Sequence, residues 1–274
     1  MAEYVQRSCE SMIKELEVLR RIKLFSDDEI NRIIVVRKHM ESKIHNVSKS
    51  LDDFKSYISY EKLLLKKIHQ RQNERGISEK KGWLDNRILF RITRLYQTAV
   101  QRFRSDYSFY VEFFKFCRKH KLNSAASQAV DIIIKMFSHK PEVWILAAKW
   151  YWHLKDANRA LKTLQKGFTI HKQSIDLYNK AIKLELDQLS EADSDVRSIQ
   201  EQLCVVKIKT YVSLILRNIT DLGDILSTLK IVQDHEILKE TQEEISRHVF
   251  QNYTMDGHLL PPFEEQVRAL EEGG

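Results

Sequence analysis

The sequence predicts an all-α protein, a right-handed solenoid of helical hairpins, and three observations carry that reading. Gly and Pro number only 7 and 3 in 274 residues, well under the roughly 7% and 5% of ordinary chains, so folds built on many tight turns are disfavoured. Apolar residues recur at helical spacing along most of the chain. Finally, Tyr110, Trp144 and Tyr178 stand 34 residues apart, with Phe113, Ala147 and Ala181 three positions later and Phe116, Trp150 and Leu184 six positions later. Ala126 matches Ala160 and Val130 matches Leu164 in the same register, as expected of units that bury their faces only by stacking. These aromatics read as repeat packing rather than a ligand box.

Taken in order, Val5, Met12, Ile13, Leu16, Leu19 and Ile22, interleaved with charges, make a first helix. Ser26 to Glu29 forms a capping box, with Phe25 and Ile30 in the staple positions, so a second helix starts there. Its apolar stripe Ile30, Ile33, Ile34 is edged by the cations Arg37 and Lys38. Residues 1–50 are therefore a leader hairpin, expected to serve in docking. From Ser50, Phe54, Tyr57 and Tyr60 recur every third residue, and a basic helix runs on through Leu63, Leu64, Lys66, Lys67 and Arg71 until Gly76 to Gly82 interrupts it. Its partner spans about Asp85 to Arg104, turning Ile88, Ile92, Leu95, Tyr96, Ala99 and Val100 inward. Further pairs run from Tyr107 to His120 with Asn123 to Phe137, and from Pro141 to Leu154 with Asp156 to Ile170; Pro141 suits a first turn. Ser174 to Leu189 is helical, Ser190 to Asp195 is a polar acidic break, and helical patterns resume through Leu216 and from about Ile225 to Tyr253. Pro261 and Pro262 end regular packing. The organisation is a leader at 1–50, repeats at 51–190, divergent helical repeats at 191–260 and a tail at 261–274.

The net charge of +7 hides an asymmetry, since residues 1–190 carry 37 Lys/Arg against 22 Asp/Glu and residues 191–274 carry 8 against 16. The basic part suits a polyanion or an acidic protein surface. The leading contact candidates are Lys62, Lys66, Lys67, Arg71 and Arg75 on one helix and Arg87, Arg91 and Arg94 on its partner, a cationic ridge whose alternative is a solvated outer face. Tyr60, Tyr96 and Tyr107 are needed for packing before base stacking is considered. Cys9, Cys117 and Cys204 are too few and too scattered for disulfides or a thiolate metal site and read as small core residues. No signal-like or membrane-spanning apolar run occurs. Gly76, Gly82 and Gly167 form no phosphate-binding loop. His39 with His45, and His235 with His248, lack metal-ligand spacing. The adjacent carboxylates Asp27, Asp28 and Asp52, Asp53 fall at helix starts, where negative charge complements the dipole. No catalytic residue, metal or cofactor is expected.

Phe54-Lys-Ser-Tyr57-Ile-Ser-Tyr60-Glu61 resembles the first-helix signature of half-a-TPR repeats, three aromatics three apart ending in Glu, and Tyr178 to Glu185 repeats it with aliphatics. A tetratricopeptide helix would want Gly after Trp and Leu, and the stretch Trp144 to Trp150 has none. Cys117 and Tyr151 depart from the expected Glu, Gly167 from the usual Ala, and His171-Lys172 from the usual Pro. The leader from Glu15 to Ile30, the Tyr57 to Glu61 helix, Phe116 to Lys119 and Lys140 to Trp150 together resemble the U3 small nucleolar RNA-associated protein 6 family, closely over residues 1–190 and loosely over 191–260. That resemblance implies a non-catalytic scaffold of the nucleolar small-subunit processome (U3 snoRNP), within its UtpB subcomplex. It would support pre-rRNA processing and maturation of 18S rRNA in ribosome biogenesis, with other UtpB proteins as partners and U3 snoRNA or pre-rRNA bound directly or through them. It implies no membrane and no small-molecule substrate. Family members being longer, a short paralogue or truncated product is implied. The alternative is a half-a-TPR adaptor in mRNA processing or splicing.

Overall fold

A computed structural model describes residues 2–77, 79–104, 106–190 and 197–253, with the side chains of those residues apart from 2–9 and 11. The expected all-α fold is what these residues adopt. The helices are α1 (Ala2–Arg21), α2 (Asp27–His45), α3 (Leu51–Arg75), α4 (Lys81–Arg102), α5 (Tyr107–Lys119), α6 (Asn123–Phe137), α7 (Pro141–His153), α8 (Ala157–Ile170), α9 (Ile175–Ser190), α10 (Arg197–Asn218), α11 (Leu222–Val232) and α12 (Lys239–Asn252), with one 3-10 turn at Glu236–Leu238. They fall into two compact units, Met1–Ala129 and Val130–Gly274, the division passing through α6.

The helix starts follow local chemistry. Ser26 accepts from the Glu29 N–H at 3.3 Å while Glu29 accepts from the Ser26 N–H at 3.1 Å, and Ser50 with Asp53 repeats this box on α3. Asp106, Asp156 and Asp221 cap α5, α8 and α11. Phe25 and Ile30, the staple pair, are both buried. Several helix ends are left-handed. Gly76 has φ +64° and Ile77 donates back to the Gln72 carbonyl, and Lys23, Lys121 and Lys155 hold the same conformation at φ +52°, +56° and +62°. Leu24 donates to Leu19 at 3.1 Å, Leu122 to Cys117 at 2.9 Å and Asp156 to Tyr151 at 3.0 Å, and the last two of these Schellman closures stand 34 residues apart.

Three sequence expectations change. The interruption at Gly76 to Gly82 is shorter than expected, because α4 already starts at Lys81 and places Gly82 in its first turn. The pattern from Ile225 to Tyr253 is two helices, since α11 stops at Val232 and the chain bends through Asp234 and His235 into the 3-10 turn. Arg37, expected at the edge of the α2 stripe, is fully buried. Cys9, the acidic break from residue 191 onward and the tail at 261–274 lie outside the described residues or side chains.

In the first unit α1 pairs with α2, α2 leans on α3, α3 pairs with α4, and α4 meets α5. The Tyr96 ring is its aromatic centre, stacked on Phe113 at 5.1 Å and lying 5.2 Å from Phe109 and 5.6 Å from Phe116. Phe54 packs edge-on to Phe103, Tyr57 is buried, Tyr60 is half-buried, and the Tyr110 hydroxyl donates to the Val100 carbonyl. In the second unit α7 pairs with α8, α8 packs on α9, α9 with α10 and α11, and α11 with α12. Trp144 Nε1 donates to the Ser138 carbonyl at 3.0 Å and the Tyr178 hydroxyl to Lys172 at 3.2 Å, the same contact one repeat apart. Trp144, Ala147, Trp150, Tyr178, Ala181 and Leu184 are all buried. At Gly167 a Cβ would stand 2.9 Å from the Trp144 Cβ, which is why Gly replaces the usual Ala.

Candidate nucleic-acid interface

The eight residues of the expected cationic ridge do not share one environment. Lys66, Lys67, Arg75, Arg87 and Arg94 are exposed, whereas Lys62, Arg71 and Arg91 are half-buried and paired. Arg71 grips Glu29 through both terminal nitrogens, at 2.6 and 2.7 Å, and donates to the Leu24 carbonyl at 3.0 Å. Its guanidinium also lies 4.4 Å from the Phe25 ring centroid. Arg75 reaches the Lys23 carbonyl. Lys62 binds Glu112 at 2.8 Å and the Tyr96 hydroxyl at 2.7 Å. The single ridge is therefore corrected: α3 and α4 turn part of their positive charge into the fold, because the leader and α5 offer carboxylates there.

The strongest example is a buried network of four charges, one from each of α1 to α4. Arg37 donates through Nε to Glu61 at 2.7 Å and through Nη2 to both Glu15 and Glu61 at 2.8 Å. Arg91 closes the ring through Nη2 to Glu15 at 2.8 Å and through Nη1 to Glu61 at 3.3 Å. The network carries two positive and two negative charges, and Arg37, Glu15 and Glu61 are essentially without solvent exposure. Burial pushes the Glu15 carboxyl up, but Arg37 and Arg91 outweigh it and hold it below the ordinary range. Burial likewise opposes charge on Arg37, and the two glutamates raise its affinity for the proton instead. Nearby, Tyr57 donates to Glu41 at 2.9 Å, and burial first, then the Glu61 and Glu41 charges, push its phenol up. Sequence reasoning missed this network, since Glu15 and Arg37 read as ordinary outer charges; the one available signal was Glu61, the acid closing the aromatic signature.

Besides Lys66, Lys67 and Arg75 on α3, the ridge leaves exposed cations on the outer side of α4. Arg87 lies over the Trp83 ring at 5.3 Å, Phe90 is 65% exposed, and neither Arg87 nor Arg94 makes an ion pair with a described residue. The second unit offers an open groove of about 950 Å³ between α7, α9 and α11, lined by Lys149, Lys180, Lys183 and Lys230 together with Asp176, Asp187 and Asp234. Burial first, then Lys149 and Lys183, lower the Lys180 pKa against the pull of Asp187.

Among the described residues no His, Cys, Asp or Glu group could hold a metal. No described helix is long and apolar enough to cross a membrane. Cys117 and Cys204 are buried and free, and burial raises their thiols to about 12 and, with Glu185 adding to it, about 11, which leaves them unreactive at neutral pH.

Residues 9–94, which contain all four charges of the buried network, match the family model of U3 small nucleolar RNA-associated protein 6. The human U3 small nucleolar RNA-associated protein 6 homolog is 28% identical over 263 residues, covering 89% of this chain and 43% of its own length. The mouse homolog is 30% identical over 187 residues, covering 68% and 31%. U3 small nucleolar RNA-associated protein 6 of Schizosaccharomyces pombe is 26% identical over 197 residues, covering 69% and 39%. The chain thus spans less than half the length of these curated relatives.

Proposed function

The chain belongs to the U3 small nucleolar RNA-associated protein 6 family, and from that premise we propose that it is a non-catalytic scaffold of the small-subunit processome. In this reading it sits in the UtpB subcomplex in the nucleolus, binds neighbouring processome proteins, and contacts U3 snoRNA or pre-rRNA directly or through them in support of 18S rRNA maturation. The observation that carries the reading is the leader's attachment. Glu15 of α1 and Arg37 of α2 are locked to Glu61 and Arg91 of the first repeat, inside the stretch matched by the family model. A hairpin fixed by buried charges presents its outer faces as one rigid piece with the repeat, which suits an assembly part more than a turnover site.

A tagged chain is expected to copurify with U3 snoRNA and other processome proteins and to concentrate in nucleoli. A chain that stays cytosolic and free of pre-ribosomal particles refutes the reading.

A further inference from the structure

We infer that the outer face of α4 is a contact surface for single-stranded RNA, built from Trp83, Arg87, Phe90 and Arg94. At 3.6 residues per turn these four positions fall at i, i+4, i+7 and i+11, one line along the helix. That line lies opposite the buried Ile88, Ile92, Leu95 and Ala99, with Arg87, Phe90 and Arg94 exposed and Trp83 at its start half-buried. It alternates ring, guanidinium, ring, guanidinium over about 16 Å, eleven residues at the helical rise.

The fold does not account for Arg87, Phe90 and Arg94 on this line. Tyr96, Ile92 and Ile88 supply the packing of α4, while Phe90 keeps 65% of its surface in water. The inner cation of the same helix, Arg91, is held by two glutamates, but Arg87 and Arg94 have no ion-pair partner among the described residues. The one carboxylate of α4, Asp85, is taken by His69 at 2.6 Å. Nothing in the helix therefore competes with an external anion for Arg87 and Arg94.

Single-stranded RNA fits this alternation because unpaired bases expose faces that stack on rings while phosphates meet the guanidinium groups. A duplex hides its base faces and would engage only the arginines. An acidic protein surface would likewise engage the arginines and leave Phe90 idle. That RNA is within reach in the cell rests on the processome reading; the binding itself is testable without it.

The test titrates the full chain into fluorescently labelled oligouridine over a series of salt concentrations. Phe90→Ala is expected to weaken binding by about five- to a hundredfold without changing the melting temperature, the ring being solvent-exposed. Arg87→Gln with Arg94→Gln is expected to flatten the slope of log affinity against log salt by about 0.7 for each phosphate released. Lys162→Gln with Lys166→Gln, an equal charge change on α8, serves as the control. UV crosslinking should map to the peptide containing Trp83 and Phe90. Wild-type affinity in Phe90→Ala, or a loss in the arginine pair no larger than in the α8 control, overturns the proposal. If that happens while the tagged chain still copurifies with U3 snoRNA, the α4 surface is refuted and the scaffold reading stands; if the chain binds oligouridine through α4 but never meets processome particles, the reverse holds.

Discussion

The joint between the leader and its repeat in the first unit is built differently from the joints of the second unit. In the first, the leader is tied to its repeat by buried charge, Glu15 and Glu61 against Arg37 and Arg91. In the second, the joints are aromatic and tight, with Trp144 laid on Gly167 and Phe168 stacked on Tyr178 at 4.7 Å. Among the described residues its buried acid Glu185 meets the half-exposed Lys207 at 3.0 Å and the Tyr211 hydroxyl at 3.3 Å. Apolar joints depend on volume, whereas ionic joints depend on every partner being present. The two units should therefore fail differently when a single side chain is removed.

The largest effect is expected at Arg37. Arg37→Ala leaves two buried carboxylates with only Arg91 to balance them, and breaking a buried pair in this way costs about 3 to 5 kcal/mol. Hydrogen exchange should show protection lost in α1 to α4 first. Replacing all four members together with apolar side chains of similar volume should restore most of that stability, because the desolvation cost leaves with the charges. Arg37 Nη1 is itself buried without a partner, so the native network already carries one unmet group. If the single and quadruple variants are equally damaged, the network acts through shape and not charge. The same geometry makes reversal of Arg91 a folding lesion, so RNA-binding tests belong to Arg87 and Arg94.

Trp144→Ala is the counterpart in the second unit. It removes an indole that is 5% exposed and should cost about 3 to 5 kcal/mol through the cavity it leaves, with exchange rising in α7 to α9. Unlike Arg37, it has no compensating set of partners. A similar-volume apolar replacement at this one position should recover part of the loss, read as a rise in melting temperature.

These contrasts also show what could be seen in the residues beforehand. The 34-residue register was legible because large rings at a fixed period have few other causes, and Tyr110, Trp144 and Tyr178 all proved buried. Capping boxes at Ser26 and Ser50 were legible because their spacing is local. The helix ends at Lys23, Lys121 and Lys155 were not, since a left-handed Lys carries none of the Gly signal that marks Gly76. Nor was the ionic network, because Glu15, Arg37, Glu61 and Arg91 are far apart in the chain and charged residues default to the surface. The candidate ridge was half-legible for the same reason. Composition locates cations, but only packing shows that Arg71 and Arg91 face carboxylates while Arg87 and Arg94 face water. Phe90 and Trp83 lie off the 34-residue register that marks the packing rings, and their spacing with Arg87 and Arg94 is the one signal they carry.

Gly167→Ala should have a smaller effect that sharpens the apolar side of the comparison. In open helix the change would gain up to about 1 kcal/mol. Here the new methyl meets Trp144 Cβ at 2.9 Å, Trp144 Cγ at 3.0 Å and Leu177 Cδ2 at 3.3 Å, and overpacking of this kind costs about 1 to 3 kcal/mol. A net loss is expected in the parent. In a Trp144→Gly background both the Cβ and the Cγ contacts are gone and only the Leu177 contact at 3.3 Å remains, so the same substitution should cost less or turn neutral. Additive effects in that double-mutant cycle would mean that the indole does not sit on the glycine.

The smallest expected effect concerns the ionic side and is read by pH. Glu29 serves both as the third residue of the α2 capping box and as the partner of Arg71, and those hydrogen bonds, Arg71 first and the Ser26 backbone second, hold its carboxyl at about 2 against an ordinary 4.5. A depressed carboxylate contributes stability that is fully present above its unfolded-state value and is lost as pH falls through the folded one. The contribution should therefore be intact above about pH 5 and fade toward pH 2. Because the pair is part-exposed, at 19% for Arg71 and 30% for Glu29, its worth is about 1 kcal/mol. Acid weakens other contacts too, so the useful quantity is the difference in unfolding free energy between the parent and Arg71→Met. That gap should narrow as the solution is acidified and shrink with added salt far less than the gap for the exposed Arg20 and Asp27 pair, whose side chains are 56% and 73% exposed. A gap independent of pH would mean that Arg71 stabilises the leader through its stacking on Phe25, leaving the four-charge network as the ionic joint of the first unit.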